Sequence, residues 1–237
     1  MGYTKKRLVV LSGAGMSADS GIRTFRDEDG LWEGHDVMEV ASPAGYHRNP
    51  ELVLDFYNQR RRQLKSVAPN AGHQALAELE AAFEVNIVTQ NVDDLHERAG
   101  SSRVLHLHGE LRKVRSTGPG AEVFFWEDDL ALEDRCPKGY PMRPHIVWFG
   151  EEVPLLQPAS TCVQQADLLL IVGTSMQVYP AAGLVHYKRT GVPLYFIDPR
   201  PQVLPGDFDG LEIIAERAAV GVPTLVRQLL GKGSGTF

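Results

Sequence analysis

Near the start of the chain, a short apolar run is followed by a glycine-rich loop. Residues 7–11 read Arg-Leu-Val-Val-Leu, and a loop with Gly13, Gly15 and Gly21 follows. Glycine permits close backbone approaches, and a loop of this kind before a helix N-terminus presents N–H groups to a phosphate. The spacing Gly13-x-Gly15-x-x-Ala18 fits the dinucleotide pattern, although a lone match also fits a plain strand-to-helix turn. The loop therefore predicts the start of an α/β fold with a nucleotide site.

The segment after the loop departs from an ordinary dinucleotide-binding unit. In the ordinary unit, one long helix follows the loop and leads to a second strand, which ends in an acidic residue about 20 residues further on. Here Ser20-Gly21 interrupts the pattern early, and Arg23, Phe25 and Arg26 precede a polar stretch at 27–30. We therefore expect a mobile, charged and aromatic segment that covers the ligand.

Short apolar runs recur along the chain and alternate with helical patterns. Each run is continuous, as expected for strands buried on both faces of a parallel sheet. The sequence thus predicts an α/β fold, a Rossmann-like doubly wound parallel sheet. The predicted strands are Leu8–Leu11, Val85–Thr89, Leu168–Val172 and Leu194–Ile197, and the predicted helices are Asn70–Phe83, Val163–Ala166 and Val222–Leu230, with Pro223 near the first turn of the last.

Two stretches break this alternation. Residues 27–66 are helical and polar, whereas residues 111–150 are rich in proline and contain no long helical pattern. We interpret both as inserts that form a smaller lobe, with the ligand in the cleft between the lobes. The nucleotide-binding domain would then comprise residues 1–26, 67–110 and 151–230, and residues 231–237 would form a flexible tail.

Composition excludes several classes of function. The 237 residues carry a net charge of −6, which argues against nucleic acid as a partner. No apolar stretch approaches a membrane span or a signal peptide. The two cysteines, Cys136 and Cys162, suggest no disulfide framework, so we expect a cytoplasmic protein, with a monomer as the default state.

Polar residues cluster at the ends of two predicted strands. Gln90, Asn91 and Asp93 follow one strand, and Gly173-Thr174-Ser175 follows another. Such side chains can bind a ribose, an amide or a phosphate. Each cluster alone also fits a helix N-cap or an ordinary strand–helix connection, but three polar residues together in the first cluster favour a site.

Two further segments carry candidate chemistry. His106 and His108 would share a face of an extended segment, and a neutral imidazole is a natural general base for a hydroxyl, although a single histidine is more often structural. Gly109 would let His108 project into the cleft. Residues 143–151 read as an extended segment that either pairs with a peptide by strand addition or packs two aromatic side chains.

Together these motifs resemble the sirtuins, the NAD-dependent protein-lysine deacylases, over about residues 7–230. The set in this order is far more specific than any single motif, and the region around residues 41–60 resembles the bacterial CobB-like members and the desuccinylase branch. The matching motifs are Gly13-Ala-Gly-x-Ser17, Gly21-Ile-x-x-Phe25-Arg26, Gln90-Asn-x-Asp93, His108-Gly109, Phe149-Gly-Glu151 and Gly173-Thr-Ser175.

The resemblance implies a reaction and the residues that perform it. The acyl oxygen of an acylated lysine, on a protein or peptide, attacks the ribose carbon of NAD that carries nicotinamide. His108, assisted by Asn91, promotes the next step as a base on a ribose hydroxyl, and water releases lysine and O-acyl-ADP-ribose. The residues implied at the NAD site are Gly13, Ala14, Gly15, Ser17, Asp19, Ile22, Phe25, Arg26, Trp32, Gln90, Asn91, Asp93, Gly173, Thr174, Ser175, Asp198 and Ala218. The residues implied at the acyl-lysine site are Ala41, Tyr57, Arg60, Val147, Phe149, Gly150, Glu151, Val178 and Tyr179.

Tyr57 and Arg60 bear on the choice of acyl group. At i and i+3 they share a helix face, and a guanidinium with a phenol suits the carboxylate of a succinyl, malonyl or glutaryl group. Ala41 matches a position that widens this pocket in the family. The basic run Arg60–Arg62 also fits a solvated helix face, but the family match at both Tyr57 and Arg60 favours the pocket.

The sequence departs from the family at the metal that holds the small lobe of most sirtuins. That zinc ion takes two cysteine pairs, but residues 113–147 contain only Cys136, with Ser116 and Gly139 near the positions of missing partners. One thiolate cannot make a four-ligand site, so we expect no structural zinc and no other metal. A second departure, Asp198 in place of asparagine, still offers an acceptor to a ribose.

Two other functions remain open at this point. The same fold would suit an NAD glycohydrolase or mono-ADP-ribosyltransferase, which would consume NAD without an acyl peptide. A non-catalytic module that binds NAD or acyl-lysine is less compatible with the presence of both His108 and Asn91.

Overall fold

A computed structural model describes residues 4–23, 31–32 and 34–232. Phe25 and Arg26, predicted to form a cofactor loop, lie outside the described residues. The strands are β1 Arg7–Ser12, β2 Leu31–Trp32, β3 His35–Asp36, β4 Glu84–Thr89, β5 Val104–His106, β6 Gly109–Ser116, β7 Val123–Phe125, β8 Met142–Ile146, β9 Leu168–Val172, β10 Leu194–Ile197 and β11 Leu211–Ile214. The α-helices are α1 Val37–Val40, α2 Pro43–Arg48, α3 Pro50–Leu64, α4 Ala71–Leu79, α5 Leu95–Arg98, α6 Leu156–Gln164 and α7 Ala218–Lys232.

The main sheet has six parallel strands in the order β11-β10-β9-β1-β4-β5. The chain runs from β1 to one side of the sheet and then returns to the other side at β9. Strand order therefore reverses beside β1, and ligands of such sheets bind outside the carboxyl ends of the strands at this point. The predicted Rossmann-like α/β fold is confirmed.

The predicted strands match β1, β4, β9 and β10, whereas the edge strands β5 and β11 were missed. Polar side chains interrupt the apolar pattern there, His106 in β5 and Glu212 in β11. The predicted helix bounds were also wrong in part, because α4 ends at Leu79 and α6 begins earlier, at Leu156. Pro223 lies inside α7, which begins at Ala218, so it does not occupy the first turn.

Each face of the main sheet has its own apolar core. On one face, Leu8, Val10 and Leu170 pack with side chains of α4 and α7. On the other, Val9 and Leu169 are among the residues that pack with α6 and with a 3₁₀ helix at Ala181–Tyr187. Both faces are covered, which is why the strands read as unbroken apolar runs. Among the described residues, no helix has the length and apolarity needed to cross a membrane.

Most of the remaining elements come from the two predicted inserts. The first provides α1–α3, and side-chain oxygens of Ser42 and Asn49 cap α2 and α3. The second provides a three-stranded antiparallel sheet in the order β7-β6-β8. Helix α3 packs against this sheet through residues that include Phe56, Leu111 and Trp148. The division into two lobes stays a prediction.

A buried arginine joins α3 to the second insert. The Arg61 side chain is 1% exposed. Its Nε donates to the Leu111 carbonyl at 2.8 Å, and its Nη1 donates to Asn58 at 2.6 Å and to the Asp128 carbonyl at 3.2 Å. Asn58 in turn exchanges hydrogen bonds of 3.0 and 2.9 Å with the backbone of Leu130. These bonds fix the helix against a segment that contains little regular structure.

We predict that Arg61→Met destabilises the protein by about 1–3 kcal/mol, because buried carbonyls lose their donor. Arg62→Met is the matched control, since Arg62 is 53% exposed and forms ion pairs with Asp55 and Asp129 at the surface. The control should cost less than about 0.5 kcal/mol. Urea denaturation of both variants measures the difference, and equal free energies of unfolding would contradict the role given to Arg61.

Candidate functional site

The glycine loop lies at the centre of the sheet's carboxyl edge. Gly13 N donates to the Val172 carbonyl at 3.0 Å, and Gly15 N donates to the Gly173 carbonyl at 2.8 Å. A Cβ on Gly15 would lie 2.7 Å from the Gly173 Cα, and Gly173 has a φ of +62°. The two glycine turns thus pack backbone against backbone, which requires glycine on both sides.

Short 3₁₀ turns follow this loop in place of a long helix. They span Ala14–Met16 and Ala18–Ser20, and Gly21 ends the second with a φ of +92°. The expected early break in the helix at Ser20-Gly21 is therefore present. Asp19, predicted at the NAD site, lies on this turn and pairs with Arg217 at 2.8 Å.

Ser17 is the centre of a buried polar network beneath the loop. Its hydroxyl donates to Asp93 at 2.9 Å and accepts from the Asn91 side-chain amide at 3.1 Å. His73 Nε2 lies 3.5 Å from the same hydroxyl. Because His73 Nδ1 accepts the Asn70 backbone N–H at 3.3 Å, its Nε2 carries the hydrogen. Asn91 is thereby fixed with its amide group toward Ser17 and its oxygen available to a ligand.

Burial sets the charge of this network. It lowers the pKa of His73 to about 4, with a small opposing effect of the Glu97 charge, so the ring is neutral at physiological pH. Burial also raises the pKa of Asp93, against hydrogen bonds from the Leu95 N–H and Ser17. His73 was not among the predicted site residues. The signal that could have found it is Asn70-x-x-His73, which forms a capping box at the start of α4.

The pKa values of the two histidines of the His-x-His motif shift in opposite directions. His106 donates to the Asn91 carbonyl at 3.0 Å and contacts Glu97 at 2.7 Å. Burial alone would lower its pKa, but the hydrogen bond and charge of Glu97 raise the pKa above the usual value. His108 has no such partner in the part of the chain that the structure describes: burial lowers its pKa, and the Gln90 carbonyl, 3.1 Å from Nδ1, opposes that effect.

The hydrogen bond to Gln90 identifies which ring nitrogen of His108 can act as a base. A carbonyl can only accept, so Nδ1 carries the hydrogen and the lone pair lies on Nε2. Gly109 has a φ of +84°, and a Cβ there would overlap the His145 carbonyl, so the turn after His108 requires glycine. The arrangement offers a neutral imidazole base at the carboxyl edge of the sheet.

The remaining predicted NAD residues lie along the same edge. Thr174 Oγ1 accepts from the Gln90 side chain at 3.3 Å, and Ser175 beside it is half-buried. Asp198 is buried after β10, where it accepts the Arg200 N–H at 2.9 Å. Ala218 is buried at the start of α7. The sheet thus brings together residues from four strand ends.

Ile22 and Trp32 lie on the side of the first insert. Ile22 packs on the apolar cluster of α3, and the Trp32 ring contacts Phe56 at 4.8 Å and Tyr57 at 6.3 Å between centroids. Both residues were predicted at the NAD site. The structure places Trp32 against Tyr57, a residue predicted at the acyl group.

The segment after β8 is tied to His108, between β5 and β6, and to the first insert. Val147 N donates to the His108 carbonyl, and Phe149 N donates to the Ala41 carbonyl, each at 2.9 Å. Phe149 is 43% exposed and Tyr179 is 71% exposed. Gly150 is exposed as well, and Val178 is half-buried.

Glu151, by contrast, is engaged within the protein. It accepts hydrogen bonds from Arg143 at 2.7 Å, from Arg115 at 2.9 Å and from the Trp148 N–H at 2.8 Å. Burial would raise its pKa, but these donors hold the pKa below its usual value. The carboxylate thus fixes the shape of the segment.

Tyr57 and Arg60 lie on α3 as the i, i+3 spacing predicted. Tyr57 is 0% exposed, and its hydroxyl accepts the Trp148 indole N–H at 3.0 Å. The Arg60 guanidinium lies 3.6 Å from the centre of the Phe56 ring and donates to the Phe56 carbonyl at 2.7 Å. Ala41, at the end of α1, is buried in the same cluster.

The region expected to lack zinc forms a turn around one cysteine. The Ser116 hydroxyl donates to Cys136 Sγ at 3.4 Å, and Gly139 N donates to the Cys136 carbonyl at 2.8 Å. Within residues 4–23, 31–32 and 34–232, no group of three or more histidine, cysteine or acidic residues could hold a metal ion. The side chains here do not fit the four-ligand zinc site of the family.

Comparisons with known proteins agree on one family. A family model described as "Sir2 family" matches residues 13–180. A protein named NAD-dependent protein deacylase from Helicobacter pylori strain 26695 is 64% identical over 195 residues, which is 82% of this chain and 85% of that protein. Its namesake from strain J99 is 57% identical and covers 97% of both chains. The solved ADP-ribose complex of a Sir2 homologue mutant is 39% identical, with a TM-score of 0.87 over 98% of this chain and 95% of that one. The chain belongs to the Sir2 family.

Proposed function

We propose that this NAD-dependent protein deacylase removes succinyl and malonyl groups, and also acetyl groups, from lysine side chains of acylated proteins. Nicotinamide and O-acyl-ADP-ribose are the other products. One observation carries the preference for acidic acyl groups: the Tyr57 hydroxyl accepts from Trp148, and its own hydrogen has no acceptor among the described residues. A buried donor without an acceptor is costly, and a bound carboxylate would supply the acceptor.

The charges around Tyr57 favour an anion. Burial raises the pKa of Tyr57 above its usual value, so the phenol stays a donor. The positive charges of Arg143 and Arg60 lie close enough to oppose that shift. A negatively charged acyl end would therefore meet the phenolic donor and the Arg60 guanidinium, which form strong hydrogen bonds and ion pairs with carboxylates, whereas the Arg143 charge is paired with Glu151.

The residues at the sheet edge suit the other half of the reaction. The glycine loop allows the pyrophosphate of NAD to approach the backbone, and NAD supplies the ribose that receives the acyl group. His108 Nε2 accepts the proton of a ribose hydroxyl. The Asn91 side-chain oxygen, directed outward by Ser17, orients the ribose or a water molecule.

We predict that Tyr57→Phe combined with Arg60→Met lowers kcat/KM for a succinyl-lysine peptide by about 100-fold, because two hydrogen bonds to a charged group are lost. The acetyl peptide should change by less than about threefold. Arg62→Met, on the exposed side of the same helix, is the control. An unchanged ratio of succinyl to acetyl rates would refute the acidic pocket.

Replacement of the base separates deacylation from other uses of NAD. We expect His108→Tyr to abolish nicotinamide release, whereas His47→Tyr, at an exposed position on α2, should retain it. Release is measured with and without the succinyl peptide. Release that does not depend on the peptide would instead identify an NAD glycohydrolase or a mono-ADP-ribosyltransferase.

The pH dependence follows from the low pKa of His108. The base must be neutral, so activity falls as pH decreases through its pKa. Because burial holds this pKa below the ordinary value of about 6.5, kcat/KM should stay high down to that pH and decline only below it. A pH profile of the succinyl and acetyl reactions measures the midpoint. A midpoint above about 7 would contradict a neutral His108 in the free enzyme.

We also propose that the small lobe contains no structural zinc. Purified protein should hold far less than one equivalent of zinc after dialysis, and Cys136→Ser should shift the melting temperature by only a few degrees, about that expected for 1 kcal/mol or less. Elemental analysis and thermal unfolding provide these measurements. One equivalent of zinc that resists dialysis would refute the proposal.

A further inference from the structure

Trp148 is buried where the segment after β8 meets helix α3. Its side chain is 2% exposed, although it follows a strand of the small sheet and precedes the exposed Phe149. The indole Nε1–H donates to the Tyr57 hydroxyl at 3.0 Å. This is a long-range contact between the two inserts, and it ends on the phenol that the proposed function assigns to the acyl group.

Other contacts hold the indole ring in place. The Trp148 backbone N–H donates to Glu151 at 2.8 Å, and the guanidinium of Arg143 lies 3.3 Å from the ring centre. Arg143 is itself paired with Glu151 at 2.7 Å. The Tyr46 ring packs on the indole at 5.2 Å between centroids. Rotation of the indole away from Tyr57 would disrupt its contacts with the Arg143 guanidinium and the Tyr46 ring.

The direction of the Tyr57 O–H bond follows from this hydrogen bond. A phenol has one hydrogen and accepts through its oxygen, whereas an indole N–H can only donate. Conjugation keeps the phenolic hydrogen near the ring plane, so two orientations are favoured. Trp148 occupies the oxygen from one side, and the hydrogen must therefore point to the other.

We infer that Trp148 is a positioning residue for acidic acyl groups: its indole N–H directs the Tyr57 hydroxyl hydrogen toward the carboxylate of the bound acyl chain. The inference rests on the proposed function, because it needs Tyr57 at the acyl end. Trp148 does not touch the reacting atoms. An acetyl group has no carboxylate, so its turnover does not depend on this orientation.

The test compares Trp148→Phe with the wild-type protein. The variant keeps an aromatic ring and lacks the donor, so the KM for the succinyl peptide should rise about tenfold while kcat changes less than about twofold. Both constants for the acetyl peptide should stay within about twofold. Trp126→Phe is the matched control, because it also removes an indole N–H from the second insert, one that donates to the Asp129 carbonyl.

A double variant distinguishes positioning from packing. In the Tyr57→Phe background, Trp148→Phe should cause no further loss on the succinyl peptide, because no hydroxyl is left to orient. An additive loss, or equal losses on both acyl groups, would show that Trp148 acts through packing and would overturn the inference. If Trp148→Phe does not fold, β-(3-benzothienyl)alanine at this position retains the indole shape with sulfur in place of the N–H, and the same outcomes apply.

A failure of the proposed function would give different results from a failure of the inference about Trp148. If the wild-type protein shows no preference for succinyl over acetyl peptides, or if the Tyr57 and Arg60 variant keeps its preference, the acidic pocket itself is wrong. If that preference exists and depends on Tyr57, but Trp148→Phe leaves the succinyl KM unchanged, only the role of Trp148 is wrong.

Discussion

The close approach of two glycine turns is the constraint on which the site depends. Gly15 and Gly173 pack backbone on backbone at the centre of the parallel sheet, at 2.8 Å between the Gly15 nitrogen and the Gly173 oxygen. No other residue fits at Gly15 or Gly173, because a Cβ on either one would overlap the backbone of the other turn. This contact places Ser17 beneath the loop and over the end of β4, within reach of Asn91 and Asp93. The arrangement of polar side chains at this edge of the sheet therefore depends first on backbone packing.

A second theme is that hydrogen-bond direction is fixed by groups that can only donate or only accept. The Gln90 carbonyl forces the hydrogen of His108 onto Nδ1 and leaves Nε2 as the base. The Asn70 N–H likewise fixes His73, which then donates toward Ser17. In each case a backbone group, held by secondary structure, sets the chemical role of a side chain. Burial then keeps both imidazoles neutral, so these assignments persist over the physiological range of pH.

The strands and the glycine loop could be predicted because their patterns lie within short stretches of the sequence. The runs that became β1, β4, β9 and β10 are apolar throughout because both faces of the sheet are covered, and the glycine spacing reports a backbone contact directly. His73 and Trp148 gave no such signal, because their partners are distant in sequence: Ser17 is 56 residues from His73, and Tyr57 is 91 residues from Trp148. For Glu151, the motif was visible in the sequence but the contacts of its side chain were not. Only the structure shows that its carboxylate binds two arginines.

Helix α3 links the stability of the two inserts to the proposed acyl selectivity. Arg61 and Asn58 attach the helix to backbone groups of the second insert. In most sirtuins a zinc ion stabilises the corresponding segment. Tyr57 precedes these residues on the same helix, and its partner Trp148 comes from the same insert. A shift of the helix would therefore move the phenol relative to the indole and weaken their hydrogen bond, because such bonds decline steeply with distance and angle. The Arg61 and Asn58 contacts with the second insert thus also set the position of Tyr57 in the proposed acyl pocket.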